Sequence, residues 1–536
     1  MTNHRSGGKG GDCTSLRPVS GSWYPLALSA SGREYDSTLA QVIPHGARRS
    51  NGPHRWALAA LSGALFTLLY PPFDMHALGW IAATPLIVAL DGASAHVGLA
   101  LGWLTGTVGV LGVTGYWIFR AARDYFQLSA PAAVAFTVGT TQIFVSIYFA
   151  LFGFAAALLG RPRFRCMLIP ALFVAGEYAR AHCLSGNPWE LLGHSQGDLR
   201  LIQLCDLTGV YGLSFLLALA ATALAEIRYT RLPLVVTALA ILGVYAYGEW
   251  RLGVLTASDD PTLQVEMVQG NLPNEQRGRP EYFATHLNRY LDLTQPPNLP
   301  PPALVVWPEN AIGFFPAENP TLVDRITRDL QARHTALLTG APRAGGRPGV
   351  AAFYNSAYLF NGDGVATVYD KRVLLPFVER MPLRPADGPY LAGTQPTIFS
   401  VAGTRFGALI CYEAIYPELS RELVRHGAQF LVNISNDSWF EAGAGPEQHY
   451  GLARFRAVEN HVSLVRVTNS GVSGVIDPSG REIARLPSRA AASKSVAVPI
   501  APGGTFYSRY GYVFAAVCIC VSCVALGLRL LGRLPH

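Results

Sequence analysis

The sequence predicts a multi-span α-helical membrane bundle of about eight spans joined to one extracytoplasmic α/β domain. Three observations carry this. Apolar residues make up 50% of the 536-residue chain and charged residues only 14%, a small charged share for a soluble protein of that length. Long apolar runs fill residues 56–249 and return near the C-terminus. Between them, residues 255–505 alternate short β-like runs with polar helical ones, the pattern of an α/β domain.

Taken in order, residues 1–54 are rich in Gly, Ser and Arg and lack periodicity, so they read as a disordered cytoplasmic tail. A polar stretch that long before the first apolar run argues against a cleaved signal peptide. Residues 55–250 read as the bundle, with seven spans at 56–72, 74–90, 96–118, 129–159, 164–180, 207–225 and 232–249. Each crossing needs roughly twenty residues. Pro71-Pro72 predicts a tight turn after the first. An eighth span falls within 508–531.

Arginines orient the bundle. Arg48, Arg49 and Arg55, then Arg161, Arg163 and Arg165, then Arg228 and Arg231, then Arg529 and Arg533 all fall on one side of eight spans. The positive-inside rule makes that side cytoplasmic, with Arg120 and Arg123 as a mild exception. The segment 255–505 then lies outside the cytoplasm, tethered at both ends. Its strand-like runs are Leu263–Val268, Ala303–Trp307, Ala336–Thr339, Ser356–Phe360, Phe406–Cys411, Phe430–Ile434 and Val462–Thr468. Helical runs cover Tyr282–Leu291, Leu322–Arg333, Tyr416–His426 and Gln448–Asn460.

Some function classes drop out. The net charge is +7, but the arginines sit at the ends of apolar runs and no basic stripe with interleaved aromatics exists, so no nucleic-acid partner is expected. Cys518, Cys520 and Cys523 lie in an apolar run and read as buried hydrophobes. No HExxH, paired-cysteine or Walker spacing occurs in the α/β segment, so neither metal nor cofactor is expected.

The chemistry starts at Cys411, delivered by the apolar strand of RFGALICYE and followed at once by polar residues. A strand-end cysteine in a turn is placed like a nucleophile. LVVWPE likewise ends a strand in Glu309, a carboxylate able to take a thiol proton. Lys371, one of three lysines in the chain, follows a hairpin-like stretch and suits an oxyanion or thiolate. Singly, each also reads as a buried hydrophobe, a solvated loop acid or a surface lysine. Together they form an acyl-transfer set.

The stretches SGNPWELLGHSQ (185–196), VVWPEN (305–310), YDKRVLLPFVE (369–379), ALICYE (408–413), NDSWF (436–440) and GPEQHYGLARFRAVENHVSLVRVTNSGVSGVIDPSG (445–480) make the chain resemble the apolipoprotein N-acyltransferases, membrane members of the nitrilase superfamily. The resemblance covers about residues 56–530. It implies a nitrilase-like α-β-β-α sandwich, Glu309 as general base, Lys371 as oxyanion partner, Cys411 as nucleophile, Glu379 as support, and importance for Tyr412 and Glu413. It further implies a membrane phospholipid as acyl donor, a Cys411 thioester, and the α-amine of a diacylated apolipoprotein as acceptor. Val378 and Glu441 stand where this family usually has glycine, which bears on loop shape or substrate preference.

Physical reasoning also couples the site to the bilayer, because exposing an acyl chain costs about 0.8 kcal/mol per methylene. Trp307, Phe314, Phe315, Trp439 and Phe440 are candidates for lipid contact or substrate access, with core filling the favoured reading for each. His449 is a conceivable base that the set makes unnecessary, and His461 lies nearby in sequence. Glu177 and Arg180, three residues apart, read as a structural pair; Glu190 and Asp206 are further acids of the bundle. A membrane-tethered nitrilase-like amidase or hydrolase is the alternative function, and a non-enzymatic assembly module a third.

Overall fold

A computed structural model of the chain describes residues 52–184, 186–256, 260–294, 301–345, 352–380, 389–440 and 443–534. The expected tail falls almost wholly outside the described residues, as do Glu441 and the side chain of Trp439.

Among the described residues, four helices are long and apolar enough to cross a bilayer: Ala95–Asp124, Ala130–Leu159, Leu232–Thr256 and Val513–Leu530. A fifth crossing is possible if Leu199–Thr208 and Val210–Glu226, bent by 118°, count as one span. The break falls at Gly209, whose φ of 62° ends the first piece. The expected span at 74–90 is instead a short 3-10 turn, His76–Trp80, and a one-and-a-half-turn helix, Thr84–Ala89, started by Pro85. The expected span at 164–180 is the helix Arg165–His182, which carries Pro170 and buries Arg165, Glu177 and Arg180. Polar side chains that serve neighbouring segments keep that helix from reading as a simple apolar span. The helix Pro53–Leu68 starts with proline in its first turn, where a missing N–H costs nothing.

The two longest helices pack through glycines. Gly98, Gly102 and Gly106 recur every four residues and meet Gly153, Phe149 and Ser146 of the other helix. A Cβ on Gly102 would lie 2.8 Å from the Phe149 carbonyl carbon and 3.1 Å from the Ala150 Cα. Each long helix also contains a π turn, Leu111–Gly115 and Gln142–Ser146.

The predicted cytoplasmic arginines gather at one end of this bundle. Arg55 donates to the Ala89 carbonyl at 2.7 Å. Asp91 pairs with both Arg161 and Arg228 at 2.9 Å, Arg165 with Glu226, and Arg529 donates to the Leu158 carbonyl at 3.2 Å.

Among the described residues the α/β domain holds twelve strands: β1 (Thr262–Gln269), β2 (Leu304–Val306), β3 (Ala336–Gly345), β4 (Ala352–Asn361), β5 (Gly364–Asp370), β6 (Ile398–Val401), β7 (Thr404–Ile410), β8 (Phe430–Ser435), β9 (Ser463–Thr468), β10 (Gly474–Ile476), β11 (Glu482–Arg485) and β12 (Ala492–Pro499). They form two six-stranded sheets, ordered β12-β1-β2-β3-β4-β5 and β11-β10-β9-β8-β7-β6. Strands β1–β3 run parallel in one sheet and β7–β9 in the other, with antiparallel strands outside them.

Alternation along the strands fixes the layers. Val265, Met267, Leu304, Val306 and Leu338 join one core with Phe406, Leu431 and Val465 of the second sheet. Their neighbours Val268, Val305 and Leu337 face the helices Phe283–Leu293 and Pro320–Arg333 through Leu287, Tyr290 and Ile326. The helices Pro417–Arg425 and Gly445–Asn460 contribute Leu419, Leu423, Leu452 and Ala457 to the core of the second sheet. The α-β-β-α sandwich expected from the resemblance is therefore present. Strands β2 and β5 share one direction in the first sheet and β7 and β8 in the second, and Glu309, Lys371, Cys411 and Asn436, just past their ends, meet in one place.

Gly102→Leu should lower the apparent melting temperature of the detergent-purified protein, at an overpacking cost of about 1–3 kcal/mol. Gly139→Leu, where an added Cβ meets nothing within 4 Å, should leave it unchanged. Equal melting temperatures for the two variants would mean that the glycine seam does not hold the bundle together.

Candidate active site

Strand β2 is wholly buried and ends in Trp307-Pro308-Glu309. Gly340 of β3 lets the turn sit close, since a Cβ there would lie 2.7 Å from the Glu309 Cα. The Glu309 carboxylate is buried. Its Oε1 accepts from Asn355 Nδ2 at 2.7 Å and its Oε2 from the Asn436 backbone N–H at 2.9 Å. The Arg277 guanidinium donates to the Glu309 carbonyl at 2.7 Å.

Lys371, 1% exposed, donates from Nζ to Glu379 Oε1 at 2.9 Å and lies 2.7 Å from Glu379 Oε2 and 3.7 Å from Glu309 Oε1. Burial pulls its pKa down, but Glu379 and Glu309 outweigh that and hold the ammonium well above the ordinary lysine range. Asn355 also donates to Glu379 at 3.0 Å, so one amide ties the two carboxylates together.

Cys411 follows β7 at φ 52°, a left-handed conformation that disfavours a side chain. Glu413, fully buried, holds this turn. One oxygen accepts from the Ile410 N–H at 2.8 Å, the other from the Tyr369 hydroxyl at 2.8 Å and the N–H groups of Arg372 and Val373 at 2.7 and 3.1 Å. One carboxylate thus fastens the Cys411 turn to the Lys371 loop of the facing sheet. The Cys411 carbonyl accepts from Asn433 Nδ2 at 3.4 Å and meets His449 Nε2 at 3.2 Å. His449 is therefore set beneath the backbone of Cys411. Its Nδ1 lies 2.9 Å from the Arg466 guanidinium and 3.2 Å from Asp437 Oδ1, so one ring nitrogen meets both a cation and a carboxylate. Burial, then Arg466, pushes the His449 pKa down. Burial first, and then Glu309, push the Cys411 thiol up to about 12 against the opposing pull of Lys371.

A cavity of about 630 Å³ joins these groups to the bundle. Glu309, Lys371, Glu379, Cys411, Tyr412 and Val378 line it together with Phe66, Gly106, Val110, Phe144 and Phe149 of membrane helices. Phe377 stacks edge-on against Phe136 at 5.2 Å and Phe144 at 6.2 Å, carrying the Glu379 loop onto the bundle. Gln448 seats the domain from the other side. Its Nε2 donates to the carbonyls of Pro71 at 2.9 Å and Val113 at 3.1 Å, and its Oε1 accepts from the indoles of Trp117 and Trp189 at 3.1 and 3.3 Å.

Some placements match expectation and others differ. Trp307 and Phe314 take the core-filling reading: Trp307 stacks on Tyr290 at 5.1 Å and donates to Thr294, and both join the core between the first sheet and its helices, away from the cavity. Phe440 is buried edge-on against Trp117 at 5.0 Å, whereas Phe315 lines the cavity. Glu177 and Arg180 do not pair. Glu177 accepts from the Leu192 N–H at 2.6 Å, and Arg180 donates to the carbonyls of Trp189 and Glu190. Asp206 and His461 meet at 3.3 Å with Arg251 between bundle and domain. Cys518 is buried as expected, but Cys520 and Cys523 are exposed, and no metal-ligand group occurs among the described residues.

Asn355, Arg277 and Arg466 escaped the sequence reading. Asn355 left a signal, an amide inside the apolar strand AFYNSAYLF. Arg277 left none, because its loop has no period.

Residues 62–223 match the family profile of the apolipoprotein N-acyltransferase N-terminal domain, and residues 286–497 that of carbon-nitrogen hydrolase. An apolipoprotein N-acyltransferase of Geobacter metallireducens is 34% identical over 510 residues, covering 90% of this chain and 96% of its own. One from Bradyrhizobium diazoefficiens is 32% identical, covering 94% of this chain and 98% of its own. Among solved structures, an amidase from Nesterenkonia sp. aligns with 45% of this chain and 92% of its own, at 20% identity and a TM-score of 0.36.

Alkylation of Cys411 by iodoacetamide, followed by peptide mass spectrometry, reads these charges directly. The rate should rise about tenfold per pH unit from about pH 7 to 10 without a plateau. Glu309→Gln removes a negative neighbour and should speed alkylation at a given pH; Lys371→Met should slow it. A plateau near pH 8 would contradict the raised thiol.

Proposed function

The chain belongs to the apolipoprotein N-acyltransferase family, as a multi-pass inner-membrane enzyme, and from that premise we propose that it moves a fatty acyl group from a membrane phospholipid to the N-terminal α-amine of a diacylated apolipoprotein. The observation that carries this reading is the shared cavity, in which a thiol, a carboxylate and an ammonium meet apolar membrane helices.

Glu309 takes the Cys411 proton, and the thiolate attacks the ester carbonyl of the phospholipid. Lys371 and the Tyr412 backbone N–H stabilise the tetrahedral oxyanion. The protonated Glu309 assists departure of the lysophospholipid, leaving a thioester on Cys411. The α-amine of the acceptor then attacks, Glu309 again acting as base, and the thiol is restored. A thiol neutral at rest fits this order, since it needs a base close by. Glu379 fixes Lys371, and Glu413 fixes the turn that presents Cys411. Phe315 and the cavity-lining phenylalanines of the bundle take the acyl chain, which stays in apolar surroundings.

The placement of the α/β domain outside the cytoplasm belongs to the same proposal. Its support is the arginine cluster at one end of the bundle.

Purified protein incubated with defined phospholipids and a diacylated peptide tests the reaction. Intact-mass spectrometry should find one acyl group on the parent protein and none on Cys411→Ala. Glu309→Gln and Lys371→Met should each slow N-acylation about a hundredfold or more. Release of free fatty acid with no N-acyl peptide would replace this reading with the membrane-tethered hydrolase.

A further inference from the structure

Glu190 is a buried carboxylate that the acyl-transfer chemistry leaves unused. Its side chain is 7% exposed, lines the cavity that holds Cys411, and has no hydrogen-bond partner on either oxygen. Its backbone, by contrast, is firmly held. The Glu190 carbonyl accepts from Arg180 at 3.0 Å and from the Tyr70 hydroxyl at 3.1 Å, and the residue sits at φ 51°. A left-handed non-glycine residue pinned by its neighbours while its carboxylate stays unpaired is built to present that carboxylate.

Its surroundings select for a cation. Glu177 and Glu190 face one guanidinium, that of Arg180, which spends its hydrogen bonds on backbone carbonyls and makes no ion pair with either acid among the described residues. Burial pushes the Glu190 carboxyl well above the ordinary carboxylate range, Arg180 opposes that rise and Asp74 adds to it, so a cation bound beside Glu190 would favour its charged form. Two indoles, Trp117 and Trp189, line the same part of the cavity with centroids 5.5 Å apart. Their N–H edges are both committed to Gln448. Phe440 packs on both rings and His449 on Trp189, so the indoles form an aromatic wall of the cavity, and an unpartnered carboxylate in such a cavity is the chemistry that receives an organic ammonium.

We propose that Glu190, with Trp117 and Trp189, is a subsite for the primary ammonium of a lipid-anchored substrate. This deepens the acyl-transfer reading and rests on it for the identity of the ligand. Two amphiphiles in that reaction carry such a group: an acyl donor with an ethanolamine head, and the acceptor with its free α-amine.

Binding separates them without requiring turnover. Full-length Cys411→Ala protein in detergent micelles is titrated, following tryptophan fluorescence, with a diacylated peptide and its N-acetylated form, and with phosphatidylethanolamine and phosphatidylglycerol. At least one amine-bearing member of the two pairs should bind about tenfold more tightly than its counterpart. Glu190→Gln should erase that preference, and Glu190→Asp should restore part of it. Loss in the peptide pair assigns the acceptor to the subsite; loss in the lipid pair assigns the donor. Equal binding within both pairs, or a preference that survives Glu190→Gln, overturns the proposal and leaves Glu190 a hydrated acid. Failure of the parent protein to acylate the peptide would instead overturn the reaction while leaving the ammonium preference readable.

Discussion

One buried ammonium organises this site. Lys371 is sealed from solvent, and a lone charge there would be prohibitively unstable. Glu379 grips it with both oxygens, Glu309 stands 3.7 Å away, and Asn355 bridges the two acids. The same pairing that makes Lys371 tolerable also positions Glu309 and sets the field at the Cys411 thiol. Each member is held by another, so no one of them can be altered without moving the rest.

The facing sheets have to be locked together for that pairing to persist. Glu413 does this from the second sheet by accepting from the Lys371 loop of the first. Beneath it, Asp437, Arg466 and His449 form a second buried network ending on the Cys411 carbonyl. Burial works against the Asp437 charge, but Arg466 and His449 hold its carboxyl well below the usual range. These groups act on backbone, which explains how a cysteine is kept at a conformation that costs about 1–3 kcal/mol.

Polar and apolar contacts together seat the domain on the bundle. The π turn Leu111–Gly115 contributes the Val113 carbonyl to Gln448, and Phe377 reaches Phe136 and Phe144. These contacts flank the cavity, so the chemistry opens among membrane helices while its charged groups stay in the sandwich. For a reaction between lipid-anchored partners, that arrangement avoids lifting chains into water.

How much was legible follows from how local each signal is. Apolar runs, arginine clusters and strand-helix alternation are written in consecutive residues, so the sequence alone determined the membrane character, the α/β domain, seven of its strands, and Glu309, Lys371 and Cys411 as strand-end residues. Five strands were missed: β5, β6, β11 and β12 because half-exposed strands carry weak patterns, and the buried β10 because it is only three residues long. Only tertiary structure decided that Trp307 and Phe314 fill a core, that Glu177 and Arg180 serve a loop instead of each other, and that Asn355 and Gln448 are hubs. Those outcomes depend on partners up to several hundred residues away, and hydrogen bonding across such separations leaves no period in the chain.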